Sequence, residues 1–169
     1  MKGVERYLKS FGNKVIKGAN NILGQKNYEL KGKLKLSIKK VDNGYDVIIK
    51  APAHADFVDK GVSGKVKTRY YKDYKGAKRK SPFKYRDKAP PSSIFEKWIK
   101  NKGIKGRDKK TGRFIKRQSL AFAMAKSMQI KGRDGIGFFQ KPLSIEYRKL
   151  NKGIAQAIKS DLKELITNK

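Results

Sequence analysis

The chain lacks cysteine and has one histidine, one tryptophan and only 14 acidic residues. Without cysteine there is no disulfide framework, no thiolate nucleophile and no cysteine-ligated metal site. No apolar run approaches the roughly 18 residues of a membrane-spanning helix, and no apolar segment follows the basic N-terminus as it does in a secretory signal. We therefore expect a protein that is made in a cytosol and has no membrane partner.

Positive charge is what the chain has in excess. Its 169 residues include 44 lysines and arginines, which gives a formal net charge of +30. Leucine, isoleucine, valine and phenylalanine account for 40 residues, just above the roughly 20 % below which highly charged chains stay disordered. The chain can therefore fold, and we expect a single domain over 1–169 whose charge favours an anionic partner.

Catalytic side chains are scarce. His54 is the only histidine, so a histidine pair cannot bind a metal, and no Gly-x-Ser-x-Gly motif presents a serine nucleophile. Asp56 and Asp59 could form a carboxylate pair, but charge-balancing contacts to lysine or arginine fit them better. The sequence therefore predicts no enzyme, no cofactor and no metal site.

Two glycine-rich segments resemble phosphate-binding loops only superficially. Gly61–Lys65 lacks the spacing of a P-loop, and Gly132, Gly135 and Gly137 lack the Gly-x-Gly-x-x-Gly pattern of dinucleotide-binding turns. We interpret both segments as turns.

A β-hairpin is predicted near residue 40. Residues 30–39 alternate apolar and polar side chains, as in a half-buried strand. Asn43 and Gly44 suit a two-residue type I′ loop, and residues 45–51 supply the partner strand. The opposed pairs are then Leu36 with Ala51, Ile38 with Ile49 and Lys40 with Val47. One apolar face results, so the turn and the alternation agree.

Both ends of the chain have the periodicity of amphipathic helices. The N-terminal helix covers about 20 residues and ends at Gly24, and the C-terminal helix has Pro142 in its first turn. The apolar stripe of the first helix contains Val4, Leu8, Phe11, Val15, Ala19, Ile22 and Leu23. The apolar side of the last helix contains Ile145, Leu150, Ile154, Ile158, Leu162, Leu165 and Ile166.

Residues 62–135 look like a basic insertion with two short helices. The first follows a capping-box spacing of Ser93 and Glu96 and closes at Gly103. The second runs from about 117 to 130 and ends at Gly132. Its apolar stripe contains Leu120, Ala121, Met124, Ala125 and Met128.

Most of the excess charge lies in two loop-like segments. Residues 60–88 contain 12 basic and two acidic residues, and residues 100–117 contain nine and one. Such cations neutralise phosphates, while Tyr70, Tyr71 and Tyr74 either stack on bases or pack the loop against the body. Ten cations are candidates for contact with nucleic acid or a partner protein: Lys65, Lys67, Arg69, Lys78, Arg79, Lys80, Arg107, Lys109, Lys110 and Arg113.

Together these elements predict an α+β fold. A small antiparallel sheet built on the Asn-Gly hairpin is packed by the N-terminal and C-terminal helices, because an isolated two-stranded hairpin is only marginally stable. The core comprises 1–61 and 136–169, and the basic insertion comprises 62–135.

Three motifs occur in a suggestive order: the strand and hairpin, then Ala51–Gly61, then Phe138–Leu143. This order resembles the tail-component, or tail-completion, family of tailed bacteriophages. In that family a strand is followed by proline, a Tyr-Ala pair, an aromatic-Val-Glu triplet and glycine; here His54 replaces the tyrosine and Asp59 the glutamate. Phe138–Leu143 is similar to the family's segment before its last helix, and the middle is similar in character to neck and tail proteins of Bacteroidetes phages, including the crAss-like group.

The resemblance implies a virion structural protein without catalysis. It would form a homo-oligomeric ring at the neck or the tail end, around the DNA channel, after assembly in the host cytoplasm. Its partners would be neighbouring neck, portal or tail proteins and packaged DNA, contacted through the backbone. We expect subunit contacts from the hairpin and the 53–61 turn, with Ala55, Phe57, Val58 and Asp59 as candidates.

The residues alone leave two other functions open. One is a free, non-specific nucleic-acid-binding protein, which the charge favours. The other is a basic nuclease, which the scarcity of acidic metal ligands disfavours.

Overall fold

The computed structural model describes residues 2–26 and 28–167 and shows a mixed fold of helices and small two-stranded sheets. The helices are α1 (Lys2–Gln25), α2 (Ala55–Lys60), α3 (Ser92–Asn101), α4 (Arg117–Lys131) and α5 (Gln140–Thr167). The strands are β1 (Lys35–Val41), β2 (Gly44–Lys50), β3 (Val62–Ser63), β4 (Tyr70–Lys72), β5 (Lys78–Lys80) and β6 (Gly132–Arg133). Strand β1 pairs with β2, β3 with β6 and β4 with β5.

The chain forms two compact units. The terminal unit comprises the described residues of 1–59, 72–79 and 136–169, and the basic unit comprises 60–71 and 80–135. The sequence predicted one domain with an insertion over 62–135. Each unit has its own apolar cluster, and each is described by itself.

The core of the terminal unit lies between α1, the turn that follows it, α2 and the segment just before α5. Six of the seven apolar residues predicted on α1 are buried, and Ile22 is half-buried. Helix α1 ends at Gln25, one residue beyond the predicted stop at Gly24. The buried cluster contains Ala19, Leu23, Leu30, Leu34, Ala55, Val58 and Phe138.

Helices α1 and α5 run antiparallel in close contact. The Tyr7 hydroxyl donates a hydrogen bond to the Lys149 carbonyl at 3.3 Å. The Tyr7 ring lies across Gly153, where a Cβ atom would overlap it. A residue without a side chain at this position therefore allows the two helices to approach.

A buried carboxylate of α5 caps the N-terminus of α1. Asp161 accepts hydrogen bonds from the backbone N–H of Gly3 at 2.7 Å and of Val4 at 3.2 Å. These two groups have no partner within the helix, so the contact satisfies them and places negative charge at the positive end of the helix dipole. The Gly3 N–H, with further help from Val4, the N-terminus and Arg6, lowers the pKa of Asp161.

We expect the Asp161 cap to make the terminal unit acid-sensitive. A carboxylate with a lowered pKa in the folded state stabilises at pH above the ordinary aspartate value of about 3.9, and this contribution disappears as the pH falls through the lowered pKa. Urea unfolding of Asp161→Asn should show lower stability than the wild type at neutral pH, with the difference shrinking below pH of about 4. The control is Glu164→Gln, because the Glu164 carboxylate lies 4.0 Å from the Arg6 guanidinium in a solvent-exposed ion pair. A difference independent of pH would contradict the capping role.

The β1–β2 hairpin has a different register from the predicted one. Leu36 lies opposite Ile49, Ile38 opposite Val47 and Lys40 opposite Tyr45. Val41 and Gly44 form the closing pair, so the loop is Asp42 and Asn43 and the predicted register is wrong by two residues. Because side chains alternate with period two, the shift keeps the same residues on each face.

The first strand is also shorter than predicted, since it begins at Lys35. Gly32 has φ of 79° and its N–H donates to the Asn20 side chain at 2.9 Å. These contacts fold the preceding residues into a turn. Leu30 and Leu34 are buried from that turn rather than from a strand.

The two helices of the basic unit pack against each other. Phe95 and Ile99 of α3 contact Ala121 and Ala125 of α4, and the predicted stripe on α4 is confirmed. The predicted capping box is wrong, because α3 begins at Ser92 after Pro91 and has no side-chain cap. Gly132 ends α4 as expected.

Residues 60–71 and 80–88, which were expected to be loop-like, form an ordered part of the basic unit. Ser63 donates its N–H to the Phe83 carbonyl at 2.8 Å, and its carbonyl accepts from the Tyr85 N–H at 2.9 Å. On its other side β3 pairs antiparallel with β6, with Ser63 opposite Gly132. The two glycine-rich segments, interpreted separately as turns, therefore meet at one crossing.

Candidate assembly and nucleic-acid surfaces

Three of the four predicted subunit-contact residues are buried within the terminal unit. Residues 55–60 form the short helix α2, not the expected turn. Ala55 and Val58 face the core cluster, and Asp59 is 2 % exposed. Only Phe57 is exposed. The other three side chains are buried within their own chain, so of the four only Phe57 is accessible to a neighbouring subunit, and the subunit contact stays a prediction.

Asp59 joins two of the motifs that the sequence placed far apart. Its carboxylate accepts hydrogen bonds from the backbone N–H of Phe139 at 2.7 Å and of Gln140 at 3.4 Å, at the start of α5. Backbone bonds from Ile136 to Val58 and from Gly137 to Asp59, each 3.0 Å, run alongside. The 53–61 and 138–143 segments thus form one junction, in which the Asp59 carboxylate accepts from the N-terminus of α5.

The apolar side of α5 is only partly covered, although this helix packs against α1. Among the described residues of α5, only Pro142 and Asp161 are buried. Leu165 is 66 % exposed, and the other exposed large aliphatic residues of this helix are Ile145, Ile158, Leu162 and Ile166. For Leu162, Leu165 and Ile166 the reason is length: α5 has 28 residues and α1 has 24, and the α1 N-terminus meets α5 at Asp161. Residues 162–167, here called the α5 overhang, extend beyond it.

An apolar groove lies beside the exposed part of α5. It has a volume of about 630 Å³ and lies between α1, α5 and the tip of the β1–β2 hairpin, all within the terminal unit. Leu150, Ile154 and Ile158 of α5 line one side. The groove and the α5 overhang both leave apolar side chains of α5 uncovered, and exposed apolar surface of this kind marks protein–protein contact.

Tyr74 borders this groove and packs against α5. Its ring packs edge-on against Tyr147 with centroids 4.9 Å apart, and the Lys75 ammonium lies 5.8 Å from its centroid. The alternative in which a tyrosine packs the loop against the body therefore holds for Tyr74.

Arg69 and Arg79, both among the ten candidate cations, are held in hydrogen-bonded ion pairs. Arg69 donates to both carboxylate oxygens of Asp134, at 2.6 and 2.7 Å, and to the Lys131 carbonyl at 2.9 Å. Arg79 donates to Asp73 at 3.0 Å, and this bond is the main cause of the lowered pKa of Asp73. Both arginines order their own units and are weaker candidates for binding a polyanion.

The remaining eight candidates are exposed. Lys65 lies 3.9 Å from Asp87 in a solvent-exposed pair, which is worth little in water. The structure places Lys65, Lys67, Lys80, Arg107, Lys109, Lys110 and Arg113 in the basic unit, and Lys78 in the terminal unit. The basic unit is therefore the main cationic surface.

The tight turn at 107–114 presents four of these cations. Arg107 and Phe114 form an antiparallel bridge. The Asp108 carboxylate accepts from the N–H of Thr111 at 2.8 Å, from the Thr111 hydroxyl at 3.0 Å and from the N–H of Lys110 at 2.9 Å. The Thr111 N–H is the main cause of the lowered pKa of Asp108. One acidic residue thus orders a turn whose other charges are positive.

Residues 2–26 and 28–167 contain neither a membrane-spanning helix nor a metal-binding cluster. No helix there is both long and apolar enough to cross a bilayer. No three histidine, aspartate or glutamate side chains in the same ranges cluster in a way that could hold a metal ion.

No protein-family model, no curated protein and no solved structure matches the chain.

Proposed function

We propose that this chain is a structural subunit of a tailed-phage virion that acts by assembly, in a homo-oligomeric ring of the neck or tail end around the DNA channel. The observation that carries the proposal is the exposed apolar surface of α5 and its groove in a chain of net charge +30. Such a charge opposes self-association. Because the apolar surface is exposed despite this repulsion, it is best explained by a neighbouring copy of the chain that covers it.

The proposal also accounts for the exposed cations of the basic unit. Lysine and arginine contacts to phosphate carry no base information, so they suit DNA that must slide through a channel. A ring repeats every cation once per subunit, which multiplies the attraction. The neighbouring neck, portal and tail proteins and the virion location follow from the same proposal, with assembly in the host cytoplasm and no catalytic step.

Leu165→Glu should release subunits from the assembly. A carboxylate at a covered apolar position is costly to bury, so we expect the concentration for half-assembly to rise at least about tenfold. Sedimentation velocity over a concentration series measures this shift. Val66→Glu is the matched control, because Val66 is 79 % exposed in the basic unit and the substitution makes the same charge change. Equal assembly of Leu165→Glu and wild type would contradict the proposal.

A free, non-specific nucleic-acid-binding protein is the second candidate, favoured by the exposed cations at 107–113. The two functions differ in their response to salt. Assembly through apolar surface against like charge should strengthen as salt screens the repulsion, whereas binding to phosphates weakens steeply with salt. A monomer at every salt concentration that binds DNA would support the second candidate over the first.

A further inference from the structure

The turn at 107–114 holds an exposed aromatic ring beside a shallow depression. Phe114 is 61 % exposed, and the Arg107 guanidinium lies over its ring at 4.4 Å from the centroid. The bridge between these residues and the hydrogen bond from Ile115 N–H to the Gly106 carbonyl at 2.9 Å fix the ring in place. An exposed phenylalanine held by an ordered turn does not serve the core of the basic unit, whose cluster lies between α3 and α4.

The depression has an apolar floor and a cationic rim. Its volume is about 290 Å³, and its lining comprises Ile104, Lys105, Phe114, Ile115, Arg117 and Leu120. No acidic residue is among them. A flat apolar surface flanked by two cations is complementary to a planar ring that has a negatively charged group on each side.

We propose that this depression binds an unpaired nucleobase of a single-stranded nucleic acid. The base stacks on Phe114 against the isoleucine and leucine side chains, while Lys105 and Arg117 neutralise the flanking phosphates. Aromatic rings and arginine planes bind bases in this way without reading sequence. A duplex keeps its bases stacked and paired, so it contributes only its backbone. The inference does not depend on ring assembly.

The test compares strands that differ only in their bases. Fluorescence anisotropy measures binding of the full chain to an oligothymidine of about 12 nucleotides, within the site sizes usual for such proteins, and to an abasic strand of the same length and charge. We expect the wild type to bind the oligothymidine about tenfold more tightly. Phe114→Ala should lose this preference while retaining its affinity for the abasic strand, and Phe114→Tyr should retain both.

Phe122→Ala is the matched control. Phe122 is 59 % exposed on α4, with the Lys126 ammonium 6.0 Å from its ring centroid, but it does not line the depression. This variant should keep the preference for bases. The assignment is overturned if the wild type binds both strands equally, if Phe114→Ala keeps the preference, or if a duplex binds as tightly as the oligothymidine. Phe114-dependent binding of an oligoglutamate peptide would also overturn it, because the partner would then be an acidic protein segment. Circular dichroism spectra establish that each variant is folded.

Discussion

Gly132→Ala should lower the free energy of unfolding of the basic unit by about 3–5 kcal/mol. Gly132 has φ of 69° and ψ of −170°, a region of backbone space that only glycine adopts freely. A Cβ atom there would overlap the Val62 carbonyl oxygen and lie 2.8 Å from the Ser63 carbonyl carbon. These are backbone atoms of the β3–β6 crossing, so they cannot swing aside. Urea unfolding followed by fluorescence of Trp98, the single tryptophan, reports on this unit.

Gly112→Ala separates the effect of crowding from that of φ. Gly112 has φ of 68°, and a Cβ atom built on it meets no atom within 4 Å. This substitution should cost only the left-handed strain of about 1–2 kcal/mol. If Gly132→Ala and Gly112→Ala lose the same free energy of unfolding, crowding between β3 and β6 adds nothing to the cost of the substitution at Gly132.

Asp59→Ala is expected to destabilise the terminal unit by about 2–3 kcal/mol. The substitution removes the acceptor for two backbone N–H groups at the start of α5 and leaves them without this partner at a buried site. The loss of helical signal at 222 nm on heating measures the effect, because α5 is the longest of the described helices.

Asp56→Ala, on the exposed face of the same helix, is the control and should change the stability by less than about 0.5 kcal/mol. Asp59→Asn should fall between the two, since the amide keeps one acceptor oxygen but loses the charge. Equal effects of the alanine variants at 56 and 59 would mean that Asp59 does not cap α5.

Local patterns in the sequence were sufficient to predict the four longer helices, but not the short helix α2. The stripe from Val4 to Leu23 and the stripe on α4 both depend on a period of 3.6 residues, which neighbouring residues alone determine. The hairpin was also predicted from alternation, but its register was not. Asn43-Gly44 and Asp42-Asn43 are both acceptable loops, and they leave the same faces apolar.

Contacts between distant residues could not be predicted from local patterns. Asp59 and Phe139 are 80 residues apart in the sequence, and the paired residues Ser63 and Gly132 are 69 residues apart. Short segments such as Gly61–Gly64 carry no periodicity that would show their partner. The apolar side of α5 was predicted correctly as apolar, but amphipathicity cannot say whether a helix face is covered by its own chain or by another.

Native mass spectrometry of the purified wild-type chain tests the central claim most directly, since each subunit adds a mass of 19.2 kDa. Our account predicts one closed oligomer whose number of subunits stays constant as the protein concentration rises. A chain that remains a monomer at every concentration, or that forms an open-ended series of sizes, would contradict it.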